Sequence, residues 1–331
     1  MKNKKVTRIV ALAMVLVLAA LAFTGCQPKE PEEGMAIRIA GLKGPTTMGM
    51  VKLLSDAKQG NSFNDYDFTM AAAADEITPA FIKGELDIVA VPANLASVLY
   101  NNTDGAVQIL AVNTLGVIYV VEKGGETVQS LKDLKGKTIY ATGKGSTPEY
   151  ALRYLLSEAG LNPDTDVKME WKSEPTEVVA ALSQTETGVA MIPQPFVTVA
   201  QGKVQNLRVA LDLTAEWEAL DNGSQFLTGV LVVRKAFAEE NPGHLAKFLE
   251  EYNASTEWIN ANPADGAKLV EEYGIVAAAV AEKAIPYCNI VCMSGAEMKS
   301  ATAGYLKTLF DQNHKAVGGK LPGDDFYYIG K

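Results

Sequence analysis

Lys43-Gly44-Pro45-Thr46 stands 101 residues before Lys144-Gly145-Ser146-Thr147, and this spacing recurs along the first two thirds of the chain. It pairs Glu76 with Glu177, Ala80 with Ala181, Glu85 with Glu186 and Pro92 with Pro193. Between residues 39–98 and 140–199, 12 of 60 positions are identical without a gap. A gapless internal repeat of this length requires two units of similar topology, each with its own sheet and core. At 331 residues the chain is long enough for two such units.

Within each copy, short β-branched runs alternate with helical stretches, the pattern of an α/β unit. The runs predict strands at 37–41, 66–71, 86–91 and 107–112, then at 137–142, 167–171, 188–192 and 207–211. Helices are predicted at 47–58, 75–83 and 93–100, then at 148–159, 176–184 and 195–201. Each copy closes on a Gly followed by an apolar run: Gly116 before Val117-Ile118-Tyr119, and Gly229 before Val230-Leu231-Val232. Gly116 and Gly229 are the hinge candidates, with the chain crossing between units near 113–116 and 224–229. The remaining tail reads as helices at 241–261, 263–273, 275–284 and 294–314. It has no third copy of the repeat, so it is expected to pack back on the first unit.

The amino terminus reads as a targeting segment. Lys2, Lys4, Lys5 and Arg8 precede an apolar run of 15 residues from Ile9 to Phe23, shorter than the roughly 20 residues a bilayer span needs. The run ends in Thr24-Gly25-Cys26, followed by a Pro/Glu-rich segment. This resembles a bacterial lipoprotein signal: residues 1–25 are removed, Cys26 is lipidated, and 26–35 form a tether too polar to pack. Phe23 departs from the Leu usual in such signals. The plainer reading is an ordinary secretory signal or an anchor helix. Removal of residues 1–25 changes the net charge from −9 to −13. Such an acidic chain lacks the basic face a nucleic-acid partner needs.

Ligands of open α/β sheets sit at the carboxyl ends of strands, beside helix amino termini whose free N–H groups favour anions. Two equivalent loops occupy such places. They offer Lys43, Gly44, Thr46 and Thr47 from one unit, and Lys144, Gly145, Ser146 and Thr147 from the other. Asn94 and Gln194 follow the next strand of each unit and add amide groups. Each of these also reads as an ordinary helix start with a capping hydroxyl or amide. The loops at the strand ends are the candidate ligand site.

Other chemistries lack their residues. Three cysteines and two histidines exclude a disulfide scaffold and a four-ligand zinc site, and no metal is expected. The run around Gly143-Lys144 is not a P-loop, because Gly145 stands where Ser or Thr is needed and Thr138 where Gly is needed. No nucleophile-elbow motif occurs, and no cofactor is expected. Cys288 and Cys292 read as two buried free thiols, with a bond between them left open.

Certain stretches carry a family resemblance. They are Lys83-Gly84-Glu85-Leu86-Asp87-Ile88-Val89, then Ser130-Leu131-Lys132-Asp133-Leu134-Lys135-Gly136-Lys137, and Val232-Val233-Arg234-Lys235-Ala236-Phe237 with Asn241-Pro242. With the signal and the two similar units, the chain resembles solute-binding lipoproteins of bacterial ABC importers. The similar branch includes aliphatic-sulfonate, taurine, nitrate and thiamine-precursor binders. The resemblance implies a two-lobed periplasmic-binding-protein type II fold, α/β, with two hinge crossings. Lobe I is then 36–114 plus 227–331, and lobe II 115–226. It also implies a binding protein, not an enzyme, that closes on a small organic solute, anionic or heteroaromatic. Its partners would be an ABC permease and its ATPase, with a lipid anchor on the outer face of the cell membrane. The alternative is an enzyme on the same bilobal fold, in pyrimidine or menaquinone-precursor biosynthesis.

Overall fold

The computed structural model describes residues 33–330. The signal segment, Cys26 and most of the tether lie outside the described residues. The strands are β1 (Ala36–Leu42), β2 (Asp65–Ala71), β3 (Ile88–Pro92), β4 (Val107–Leu115), β5 (Ile118–Lys123), β6 (Thr138–Ala141), β7 (Lys168–Trp171), β8 (Gly188–Pro193), β9 (Leu207–Asp212), β10 (Leu227–Arg234) and β11 (Ile290–Ser294). They form a six-stranded sheet in the order β11-β4-β10-β3-β1-β2 and a five-stranded sheet in the order β7-β6-β8-β5-β9. The chain leaves the larger sheet at Leu115 and enters the smaller at Ile118. It leaves the smaller at Asp212 and returns at Leu227. The result is a two-lobed α/β fold joined by two crossings.

The repeat is real but not gapless. In lobe I, β1 lies between β2 and β3 and parallel to both, with Ile39 opposite Phe68 and Ile88. In lobe II, β6 lies between β7 and β8 and parallel to both, with Ile139 opposite Met169 and Val189. Ile39 therefore corresponds to Ile139, an offset of 100, while the neighbouring strands keep 101. Side chains alternate between faces, so a one-residue error would turn the core side of β6 outward. The extra residue lies between β6 and the following helix, Thr147–Glu158. The paired glutamates do share a role. Glu76 accepts a hydrogen bond from the Ala73 N–H, and Glu177 from the Ser173 N–H, each closing the first turn of its helix.

Helix starts follow the proline pattern, with Pro148, Pro175, Pro242 and Pro263 in first turns. The stretch predicted as one helix at 47–58 is two, Pro45–Met48 and Val51–Lys58. Gly49 marks the break, where a Cβ would meet the Tyr252 hydroxyl at 2.8 Å. The tail forms helices at Pro242–Ala261, Pro263–Glu272, Ala278–Ala284 and Gly295–Gln312. It also supplies β11, an edge strand that the helical reading of the tail did not include. The short run Ile290-Val291-Cys292 pairs antiparallel with β4.

Asp87 ties lobe I together. Its carboxylate, 3% exposed, accepts from the Arg38 guanidinium at 2.6 and 2.9 Å, from the Arg38 backbone N–H, and from Arg234 at 2.6 Å. Bidentate guanidinium bonds of this kind are the strong ones. They join β1, the start of β3 and the end of β10. Between the lobes the core is continuous. Trp217, fully buried, stacks on Phe226 at 5.2 Å and also meets Tyr154 and Tyr305 at 4.8 and 5.5 Å. Each such ring buried contributes about 1.5–3 kcal/mol. This cluster fills the return crossing. Trp217 donates its indole N–H to Ser224, and Thr308 donates to the Ser224 hydroxyl.

Candidate functional site

Sheet register fixes where the strand ends point. Pro92, at the end of β3, is opposite Gly229, and Pro193, at the end of β8, is opposite Ile118. Both carboxyl ends thus border the crossings, and the loops that follow them lie in the region between the lobes. The Gln194 N–H donates to the Val117 carbonyl at 2.9 Å, fastening the lobe II loop directly to the first crossing.

In lobe I, Lys43 is exposed while Gly44, Thr46 and Thr47 are buried. The Thr47 hydroxyl donates to the Leu42 carbonyl at 2.5 Å and so pins its own loop. The Thr46 carbonyl accepts from the Asn113 amide at 3.0 Å. The Thr46 hydroxyl is different: it is buried and has no partner among the described residues. A buried hydroxyl left unpaired costs roughly 1–3 kcal/mol unless a bound molecule satisfies it.

In lobe II, Lys144 and Gly145 are exposed. Gly143 and Gly145 have φ of 80° and 74°, a left-handed turn that glycine adopts without strain, and a Cβ on Gly143 would strike Pro148 at 2.6 Å. The Ser146 hydroxyl donates to the Gly143 carbonyl at 2.8 Å. The Gly145 N–H donates to the Glu149 carboxylate at 2.7 Å, and Arg153 holds the other Glu149 oxygen at 2.9 Å. The amino end of this helix therefore carries an anion of its own. Gln194 caps its own helix, accepting from the Thr198 N–H and hydroxyl at 3.3 and 3.0 Å.

Asn94 and Thr147, one from each lobe, come together. The Thr147 hydroxyl donates to Asn94 Oδ1 at 3.3 Å, and Asn94 Nδ2 donates to the Ala316 carbonyl at 2.9 Å. Both residues are fully buried. Of the ten candidates, the Thr46 hydroxyl and the side-chain ammonium groups of the exposed Lys43 and Lys144 have no hydrogen-bond partner within the described residues. Sequence reasoning missed Asn113, Glu149, Tyr305 and Asn289. Only Glu149 carried a local signal, a carboxylate in the first turn of a helix. The others act across more than 60 residues of sequence.

At the hinge candidates space is closed. A Cβ on Gly116 would fall 2.1 Å from Thr214 Oγ1 and 2.7 Å from the Phe226 ring. One on Gly229 would fall 2.5 Å from both Asn113 Oδ1 and Thr46 Cγ2. Among the described residues no helix is long and apolar enough to cross a membrane.

The fold is two-lobed with a double crossing, and the comparisons name the family. Residues 64–284 match the family described as the periplasmic substrate-binding protein of phosphonate ABC transporters, and the chain belongs to that family. Solved structures share the fold. An ABC transporter protein from Parabacteroides distasonis is 24% identical with a TM-score of 0.73, over 88% of this chain and 98% of that one. The aliphatic sulphonate binding protein SsuA from Escherichia coli is 17% identical with a TM-score of 0.72, over 89% and 92%. The alkanesulfonate-binding SsuA from Xanthomonas axonopodis pv. citri, bound to MOPS, is 14% identical with a TM-score of 0.69, over 90% and 98%. A search of curated proteins found no match.

Proposed function

We propose that this periplasmic substrate-binding protein of an ABC importer is anchored through Cys26 and captures a small organic oxyanion, a phosphonate or sulfonate, between its lobes. The unpaired, buried Thr46 hydroxyl carries the reading of where the solute sits. It can donate to an anionic oxygen, and the exposed Lys43 and Lys144 add positive charge to an otherwise acidic chain. The family match and the sulfonate binders of the same fold support the oxyanion class. Closure turns on the segments around Gly116 and between Asp212 and Leu227. A ligand that contacts both lobes favours the closed state by its differential affinity. The closed protein is what the permease recognises.

Thermal unfolding of the purified chain with methylphosphonate, ethanesulfonate, nitrate and thiamine tests the substrate class. A ligand at about 100 times its Kd adds roughly 2.7 kcal/mol, a rise of several degrees. A rise with the phosphonate or sulfonate is expected, and a rise with cationic thiamine alone overturns the reading. Cys26→Ser should move the chain from the membrane to the soluble fraction.

A further inference from the structure

Tyr305 lies outside every loop that follows a strand, yet it touches both the loop region and the hinge. It sits on the helix Gly295–Gln312, fully buried. Its hydroxyl donates to Thr147 Oγ1 at 3.4 Å, Thr147 donates to Asn94 Oδ1 at 3.3 Å, and Asn94 donates to the Ala316 carbonyl at 2.9 Å. This relay runs through three fully buried side chains, where water does not compete and each bond reinforces the next. It ties the first turn of Thr147–Glu158 in lobe II to the first turn of Ala93–Asn102 in lobe I. The ring of the same tyrosine rests on Trp217 at 5.5 Å and on Phe226 at 6.3 Å, the two aromatics at the return crossing.

We propose that Tyr305 is a positioning residue that sets the mutual placement of the two lobes, its hydroxyl bolting Thr147 to Asn94 while its ring bears on the hinge. The proposal rests on the reading of the chain as a receptor that opens and closes. The relay accounts for why Thr147 and Asn94 are buried against each other: they hold the lobes in register, and the solute is held by other groups. Tyr305 contributes no contact to the solute and acts through Thr147.

The test needs no ligand. Dyes attached at positions 168 and 268 of the full-length chain, through a handle that spares the cysteines, report the distance between lobes by single-molecule energy transfer. Both native lysines are exposed, with side chains 71% and 73% accessible, and their surface ion pairs contribute little. The unsubstituted chain is expected to show one dominant distance. Tyr305→Phe, which keeps the ring, should raise the fraction at other distances about five-fold, the worth of one hydrogen bond. Thr147→Val should do the same, Thr147→Ser should restore the original distribution, and the double variant should be no worse than Thr147→Val. Unchanged distances in Tyr305→Phe, or a loss in Thr147→Ser equal to that in Thr147→Val, would overturn the proposal. If Thr147→Val fails to fold, Tyr305→Phe alone decides. A failure of the oxyanion reading shows in thermal unfolding and leaves these distances untouched, so the two outcomes are separable.

Discussion

Asn289 donates its side-chain amide to the carbonyl of Gly116, across 173 residues of sequence and at the point where the chain passes from one sheet to the other. Its own carbonyl accepts from the Leu115 N–H at 3.1 Å, and its φ of 44° lies in the left-handed region. Asn289→Gly should lose the bond but keep the backbone, at a cost of about 1 kcal/mol. Asn289→Ala adds the left-handed penalty, roughly 1–2 kcal/mol more. Urea denaturation should rank the three chains in that order.

Gly116 leaves no room for a side chain beside Thr214 and Phe226. Gly116→Ala is expected to destabilise by about 1–3 kcal/mol through overpacking. The Thr214 hydroxyl is buried without a partner among the described residues, so Thr214→Ala alone should be nearly neutral and should recover part of the loss in the double variant. Thermal unfolding of the four chains of this cycle reads the coupling directly.

Burial raises the Asp87 carboxyl, but hydrogen bonds from Arg38 and Arg234 outweigh it and hold it below the ordinary aspartate range. Burial likewise raises Glu122, and hydrogen bonds from the Thr127 hydroxyl, the Thr127 and Val128 N–H groups and Arg208 bring it below its ordinary range. For a carboxyl depressed in the folded state, the stabilisation is complete above the unfolded value of about 4 and is lost as pH falls through the lower folded value. Acid should therefore unfold the chain below about pH 4. Asp87→Asn should cost roughly 2–4 kcal/mol near neutrality, limited because the arginine side chains are 40% and 24% exposed. It should also flatten the acid limb of stability against pH.

The stretches that carried the family resemblance prove to be structural. Asp87 and Arg234 come from two of them and meet in one ion pair, and Asp133 of the third closes its own turn through Ser130 and Gln129. The succession of strands and helices along each copy was legible because β-branched runs and the repeat agree; their order across each sheet came only from the structure. The register of β6 was not, since sequence identity follows the glycine loop and the extra residue hides between strand and helix. Thr147 and Thr46 look equivalent in sequence. The partners that separate them, Tyr305 for one and Asn113 for the other, lie on elements far along the chain.

Glu149 occupies the amino end of the lobe II helix with its own charge. Glu149→Gln keeps an acceptor for the Gly145 N–H and removes the negative charge. The affinity for an anionic solute should rise by about two- to five-fold. Titration calorimetry with whichever oxyanion raises the melting temperature measures this, and an unchanged affinity places the anion away from this helix.

Among the described residues, Cys288 and Cys292 carry free thiols. Burial pushes the Cys288 thiol far up and the Cys292 thiol to about 11, with Glu257 adding to the latter. At pH 8 a folded chain should label slowly at Cys292 and not at Cys288, and both should label at once in denaturant. Peptide mapping after brief alkylation distinguishes them.

β10 lies in the middle of the larger sheet, between β3 and β4, although it follows the whole of lobe II in sequence. A nascent chain that has reached the end of β4 holds an interrupted sheet with an open gap at its centre. Lobe II can form as soon as it is made, whereas lobe I must wait for residues beyond 227 and for the arginine that pairs with Asp87. Order of synthesis and order of folding therefore run opposite to each other. The lobe that holds the amino-terminal strands is therefore the one completed last.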